Sequence, residues 1–341
     1  MKKIKIAING FGRIGRAFFR FAKDASEIEV VAINDIGDID NIAYLLKYDS
    51  VYGKLDEEVS VNNNKLKVGE KEIVFLNERE PPKLPWKDLN IDIVVEATGV
   101  FASFKKSKAH LDAGAKRVVV SAPVKDTPQG IEGKTILMGV NDDGLETCDI
   151  SSNASCTTNA GSPIISILNE KIGIEKAVLN TIHGYTATQS LVDGPDGKNL
   201  RRGRAAGANI VPATTGAAIA TTKALPELEG KFDGIALRVP VILGSIADIT
   251  FIAKKDTSVD EINKILEDAS KEERWQGVFS VTYEPIVSSD IVGNTHGAVV
   301  DLSFTKVVGG NLVKVLSWYD NEAGYANTLL KHVITSGKYI N

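Results

Sequence analysis

Cysteine is nearly absent, with Cys148 and Cys156 the only two among 341 residues. Two thiols make no disulfide framework, so a reducing compartment is the natural home and the fold has to be held by its core. Long apolar runs are missing too, and no stretch approaches the roughly 18 residues of a membrane-crossing helix. The opening MKKIKIAING brings two lysines but meets Asn9, Gly10 and Arg13 before a signal-peptide core can form, which points to a cytoplasmic protein with no membrane partner. Nor is there a basic surplus. Forty Lys and Arg against 44 Asp and Glu give a net charge of -4, the wrong balance for a dedicated nucleic-acid binder. No repeat or low-complexity segment appears, and no metal site is expected.

What remains is an ordinary globular composition, 43% hydrophobic and 25% charged, in a chain too long for one domain of ~50 to 250 residues. KIKIAI followed by NGFGRIGRAFFRFAKDA reads as a strand, a glycine turn and a helix burying Ile14, Phe18 and Phe21. EVVAIN, IDIVVEAT and KRVVVSAP read as further strands, and DIDNIAYLLKY and FKKSKAHLDAGA as helices between them. Such alternation predicts an α/β, doubly wound, mainly parallel sheet over residues 1–155. Beyond it, over 156–319, long alternating strands such as GIALRVPVILG and SIADITFIAKK predict an α+β domain with a mainly antiparallel sheet. One helix there opens on the capping box Ser258-x-x-Glu261. The last helix, within 320–341, is free to pack on either domain. Residues Ala187 to Asn209 show little periodicity and mark a functional or interface loop.

Gly10, Gly12 and Gly15 form G-x-G-x-x-G between the first strand and the first helix. There glycines let backbone approach a pyrophosphate, and the helix N-terminus offers free N–H groups to it. Asp35 ends the second strand twenty residues past Gly15, where a carboxylate accepts from a ribose and repels the extra phosphate of NADP, so NAD is favoured. A tight structural turn is the alternative reading of the glycines alone. Cys156 lies in SSNASCTTNAGSP, among small hydroxyl residues at the mouth of a helix, where the dipole favours thiolate. A buried structural thiol is the competing reading. His183, at the end of strand AVLNTI among Thr181, Thr186 and Thr188, is the candidate base. His110 and His332 read as solvated and His296 as a turn residue. A thiol, a base and a nicotinamide together imply aldehyde oxidation through a thioester. Arg238, a charge inside the apolar strand ALRVPV, calls for an anion, either a ligand or an internal carboxylate. The run Arg201 to Arg204, RRGR, reads as a solvated or subunit-contact loop.

From INGFGRIGR to WYDNEAGY, through SNASCTTN, LLKYDSVYG, SAPVKD, HGYTATQ, RRGRAAGANIVPATTGAA and PELEGKFDGIALRVPV, the chain resembles the phosphorylating glyceraldehyde-3-phosphate dehydrogenases over essentially its whole length. The resemblance implies Cys156 as nucleophile and His183 as its general base and acid. Thr186 and Arg238 would hold the substrate's phosphate; Ser155, Thr157, Thr215 and Gly216, with Arg202 nearby, would cradle inorganic phosphate. By the same resemblance Arg13, Ile14, Asp35, Arg79, Thr98, Ser121 and Asn321 contact NAD, Tyr325 orients the nicotinamide, and Pro195 matches NAD-using members. It implies glyceraldehyde 3-phosphate and phosphate as substrates, a homotetramer whose long loop reaches a neighbour, and a C-terminal helix that returns to the NAD-binding domain. A sister activity, erythrose-4-phosphate dehydrogenase, uses nearly the same residues, but retention of Thr186 favours the phosphorylating enzyme. The chain departs from the family at Ala160, where a second cysteine is usual, and at Ala323, where an aromatic is usual.

Overall fold

The computed structural model describes residues 3–197 and 199–340. The chain divides into two compact units: one runs to Ile136 and takes up Asn141–Ala154 and the chain from Leu329 on, the other comprises Leu137–Val140 and Ser155–Thr328. The last helix, Ala323–Gly337, therefore begins in the second and ends in the first.

In the first unit the strands lie in the order Gly133–Thr135, Ile150–Ser152, Arg117–Val120, Ile93–Glu96, Ile4–Asn9, Ile28–Asn34, Lys71–Leu76, Lys65–Val68, Val59–Asn62. The first seven are mutually parallel and the last two add an antiparallel edge. Parallel strands covered on both faces read as continuous apolar runs, and Ile93–Glu96 is buried at every position. Strand order reverses beside Ile4–Asn9, the switch point at which open parallel sheets leave a crevice beyond their C-terminal ends. The first helix, Arg13–Ala22, buries Gly15, Phe18, Phe19 and Ala22, while Ile14 and Phe21 are only partly covered. The expected face is thus turned, because a Cβ on Gly15 would stand 2.2 Å from the Gly10 carbonyl, and this close approach rotates the Gly15 side onto the sheet.

Two histidines correct the sequence reading. His110 and His332 are fully buried, not solvated. In helix Phe104–Asp112 the lysines point outward while Phe104, Ser107 and His110 share the inner face, so the Lys-rich composition hid a core position. His332 bonds Ser151 Oγ at 2.6 Å and Asn153 Oδ1 at 3.1 Å. His296 does sit in a turn, its backbone N–H donating to Asn294 Oδ1.

The second unit holds a seven-stranded sheet in the order Val211–Thr214, Phe232–Val239, Ile174–Gly184, Ser245–Ala253, Leu312–Tyr319, Ala298–Val308, Phe279–Thr282. It is antiparallel apart from two parallel pairings, Ile174–Gly184 with Phe232–Val239 and Phe279–Thr282 with Ala298–Val308. Strand Ser245–Ala253 alternates buried and half-buried residues throughout, the mark of a sheet with one face in the core. Against that core packs helix Cys156–Lys171, buried continuously from Thr157 to Leu168. The anticipated capping box at Ser258 is half formed: Ser258 Oγ accepts from Glu261 N, but the Glu261 carboxylate turns to Thr257 and Lys255. A complete one stands at Ser155 and Thr158 instead. Among its described residues the 187–209 loop contains one helical turn, Leu200–Gly203, and is held by Asp193, which accepts from Arg204 Nε and Ala205 N at 2.9 Å each.

Candidate active site

The glycine loop of the first unit has a distinct reason for each glycine. Gly10 has φ +92, and a Cβ there would meet Thr98 N at 2.6 Å. Gly15 approaches the Gly10 carbonyl, and Gly12 faces open space, so the bare backbone is left free for a ligand. Gly12 caps helix Arg13–Ala22 without a side chain. These residues open onto a cavity of about 310 Å³ lined by Gly10, Gly12, Asp35, Arg79 and Thr98, together with Asn9, Asn34, Ile36 and Glu78. Asp35 Oδ2 accepts from Phe11 N at 2.6 Å and Oδ1 from Gly37 N at 2.8 Å, so the acidic group that would meet a ribose also pins the loop. A dinucleotide fits this chemistry: open backbone at the glycine loop, a helix N-terminus and the Asp35 carboxylate at the end of the second strand. Arg13 pairs with Asp49 at 2.5 Å. Arg13, Ile14, Gly15 and Ser121 lie outside the cavity lining.

In the second unit Ser155 caps the helix that Cys156 opens. Its Oγ accepts from Thr158 N at 3.1 Å and lies 2.8 Å from Thr158 Oγ1. Ala154, immediately before, holds the left-handed region at φ +54 and is fully buried, a strained step that sets the entry to the helix. Cys156 Sγ lies 3.4 Å from His183 Nε2. The parallel register places Arg238 directly opposite His183. Its Nη1 stands 2.6 Å from His183 Nδ1, and the same Nδ1 lies 2.6 Å from the Gly184 carbonyl. A guanidinium can only donate, so it competes with the ring's own N–H at that nitrogen.

These neighbours set the charges. Burial, and then the Arg238 charge, push the His183 imidazole down to about 3. Burial pushes the Cys156 thiol up, against the pull of Arg238 and of hydrogen bonds from Thr157. Without an anion on Arg238, the imidazole is therefore held neutral. Arg238 is partly buried, and burial is also the first cause of its lowered pKa, while the charge of Arg202 acts on it in the same direction. Among the described residues no carboxylate pairs with it, which removes the internal salt bridge as an explanation.

Tyr319 was not singled out by the sequence. It is buried, stacks edge-on against His183 at 5.9 Å, and bonds Thr157 Oγ1 at 2.9 Å and Thr181 Oγ1 at 2.7 Å. Its only sequence signal is an aromatic ending an alternating strand, which is too common to single it out. Thr186 bonds Thr188 at 2.9 Å, and Thr215 Oγ1 accepts from Ala217 N where Gly216 begins helix Ala217–Ala224. Asn321 Oδ1 accepts from Ser245 Oγ, and Tyr325 is buried. The departures Ala160 and Ala323 are both buried. Cys148, also buried, has its thiol pushed up to about 11. Among the described residues no group of three His, Cys, Asp or Glu is placed to hold a metal, and no helix is long and apolar enough to cross a membrane.

Residues 4–104 match the family described as glyceraldehyde 3-phosphate dehydrogenase, NAD binding domain, and residues 155–321 match its C-terminal domain. The chain is 46% identical over 329 residues to the glyceraldehyde-3-phosphate dehydrogenase of Geobacillus stearothermophilus, covering 96% of each. It is 48% identical over 343 residues to that of Mycobacterium avium, covering 98% of this chain and 99% of the relative. To glyceraldehyde-3-phosphate dehydrogenase 1 of Bacillus subtilis (strain 168) it is 45% identical over 329 residues, 96% of each.

Proposed function

The chain belongs to the glyceraldehyde 3-phosphate dehydrogenase family, and from that premise we propose how its own residues convert D-glyceraldehyde 3-phosphate, NAD and inorganic phosphate into 1,3-bisphosphoglycerate. The observation that carries the reading is Arg238, a cation that no carboxylate meets among the described residues, 2.6 Å from the base of a cysteine–histidine pair. It needs an anion, and the substrate's phosphate supplies one. With phosphate on it, the guanidinium is drawn off His183 Nδ1. The ring N–H then bonds the Gly184 carbonyl, which turns Nε2 as an acceptor toward the thiol. The Cys156 proton passes to Nε2 as sulfur attacks the aldehyde carbon, and the resulting alkoxide takes that proton back from Nε2, giving a hemithioacetal and a neutral His183. NAD, when bound, accepts the hydride whose loss turns that hemithioacetal into a thioester on Cys156. His183 takes the hydroxyl proton in the same step. Inorganic phosphate, held by Ser155, Thr157, Thr215 and Gly216 with Arg202 nearby, then attacks the thioester carbon, and the Cys156 thiolate leaves. Gly10, Gly12, Asp35, Arg79 and Thr98 hold the cofactor, with Arg13, Ile14, Gly15, Ser121, Asn321 and Tyr325 contributing.

The same reading assigns residues 1–155 with helix 320–341 to NAD binding and 156–319 to catalysis, in a cytoplasmic homotetramer. Exposed Leu191, Val192 and Leu200 support a subunit contact on the long loop. NADH absorbance tests the activity with glyceraldehyde 3-phosphate or erythrose 4-phosphate, each with and without phosphate. The expected result is phosphate-dependent turnover of the first. Faster, phosphate-independent turnover of the second overturns it, and a monomer in sedimentation analysis overturns the assembly.

A further inference from the structure

Three neighbouring parallel strands of the first unit each end on a buried polar residue. Asn34, Asn9 and Glu96 stand in register at the C-terminal edge of the sheet, none more than 4% exposed. They form a continuous chain of hydrogen bonds. Glu78 N donates to Asn34 Oδ1 at 2.9 Å, Asn34 Nδ2 to Asn9 Oδ1 at 2.7 Å, and Asn9 Nδ2 to Glu96 Oε2 at 2.6 Å. From the other side His110 Nε2 lies 3.1 Å from Glu96 Oε2, and Trp86 Nε1 lies 3.0 Å from His110 Nδ1.

Two groups that can only donate, the Glu78 backbone N–H at one end and the Trp86 indole at the other, set the directions. An indole N–H can only donate, so His110 Nδ1 must accept, the ring proton sits on Nε2, and it donates to Glu96. Asn9 Nδ2 also comes within 3.4 Å of His110 Nε2, but there two donors meet and no bond forms. The other carboxylate oxygen accepts from Thr98 N at 2.9 Å and from Thr98 Oγ1. Glu96 thus receives four donors, all of which an ionised carboxylate satisfies and a protonated or amide side chain does not.

The outer members of this chain face the cofactor cavity: Asn9, Asn34, Glu78 and Thr98 all line it, while Glu96, His110 and Trp86 do not. The tether also fixes the Ala97–Thr98 backbone, against which Gly10 packs so closely that a Cβ would stand 2.6 Å from Thr98 N. We propose that Glu96, held by His110 and Trp86, is a positioning residue for the dinucleotide, fixing Asn9 and the Thr98 turn against the glycine loop from beneath. Thr98 spends its hydroxyl hydrogen on Glu96 and its backbone N–H on the same oxygen, so toward the cofactor it offers only acceptor atoms and its methyl. The proposal rests on NAD as cofactor.

Its test is calorimetric titration of the purified full chain with NAD, in wild type, Glu96→Gln and Trp86→Phe. In either orientation the glutamine NH₂ faces a donor, so the NAD dissociation constant should rise roughly tenfold or more. Trp86→Phe frees the His110 tautomer and should raise it several-fold. The Michaelis constant for glyceraldehyde 3-phosphate and kcat at saturating NAD should stay within about twofold of wild type in both, a split that general loosening of the fold would not produce. NAD affinity unchanged in both variants, or all constants falling together, overturns the proposal. If Glu96→Gln does not fold, Trp86→Phe and ¹⁵N NMR of the ligand-free wild type still decide. Nδ1 of His110 should be bare and Nε2 protonated, and the opposite tautomer overturns it. Wild type that binds no NAD would instead count against the cofactor assignment itself.

Discussion

Replacing Arg238 by leucine separates a ligand-binding guanidinium from a structural one, because the two roles move stability and activity in opposite directions. Were Arg238 one half of a buried ion pair, its loss would cost about 3–5 kcal/mol of stability. No carboxylate meets it among the described residues, and its nearest partners are His183 Nδ1 at 2.6 Å and the Gly184 carbonyl at 3.3 Å. Removing an uncompensated charge and supplying apolar atoms in its place is neutral or stabilising, by about 1 kcal/mol. Activity should fall steeply. A charge-assisted contact to a phosphate contributes about 3 kcal/mol, so kcat/KM for glyceraldehyde 3-phosphate should drop roughly 100-fold. Unphosphorylated glyceraldehyde has no such contact to lose and cannot draw Arg238 off His183, so the variant should turn it over no more slowly than wild type. NADH absorbance gives the two rate constants and differential scanning calorimetry gives Tm. A variant that melts well below wild type and loses both substrates equally would refute the reasoning.

Other perturbations test the rest. Cys156→Ser should abolish turnover yet retain NAD binding, since serine is far less ionised at neutral pH, and residual activity within about tenfold of wild type would remove Cys156 as nucleophile. Iodoacetamide followed by peptide mapping should label Cys156 before Cys148, whose buried thiol is pushed up to about 11. Asp35→Asn should cut the preference for NAD over NADP by at least tenfold in kcat/KM, because the charge that repels a 2′-phosphate is gone. His332 is pushed down to about 3 by burial alone, so below pH 6.5 the unfolded chain takes up a proton that the folded one refuses, and stability is lost as pH falls from 6.5 toward 3. Between pH 7 and pH 5 the His332 share amounts to about 2 kcal/mol, read in urea titrations as the extra loss of wild type over His332→Gln, because His183, also pushed down to about 3, contributes to both. Parallel pH profiles would reject it.

Local chemistry was enough for the sequence to determine a good deal by itself. Alternating apolar runs and helical periods give the parallel sheet, because a strand covered on both faces has no polar side to show. Gly10, Gly15 and Asp35 are readable for the same reason: backbone positions that only glycine tolerates and a carboxylate at a fixed remove are properties of a short segment. The thiol at a helix mouth is equally local. What tertiary structure alone decided depends on residues far apart in the chain. His183 and Arg238 are 55 positions apart, and only the parallel pairing of their strands puts one nitrogen against the other. Likewise, that no carboxylate reaches Arg238 among the described residues is a matter of tertiary placement that the sequence left open. Tyr319 reaches the base from a strand more than a hundred residues on. His110 and His332 misled because burial depends on which helix face meets the sheet, and single polar residues carry no sign of it. The row Asn34, Asn9, Glu96 is likewise invisible in the chain, where the three fall at the ends of separate strands. Register brings them side by side, and their donors and acceptors then leave one arrangement in which every buried polar atom is satisfied.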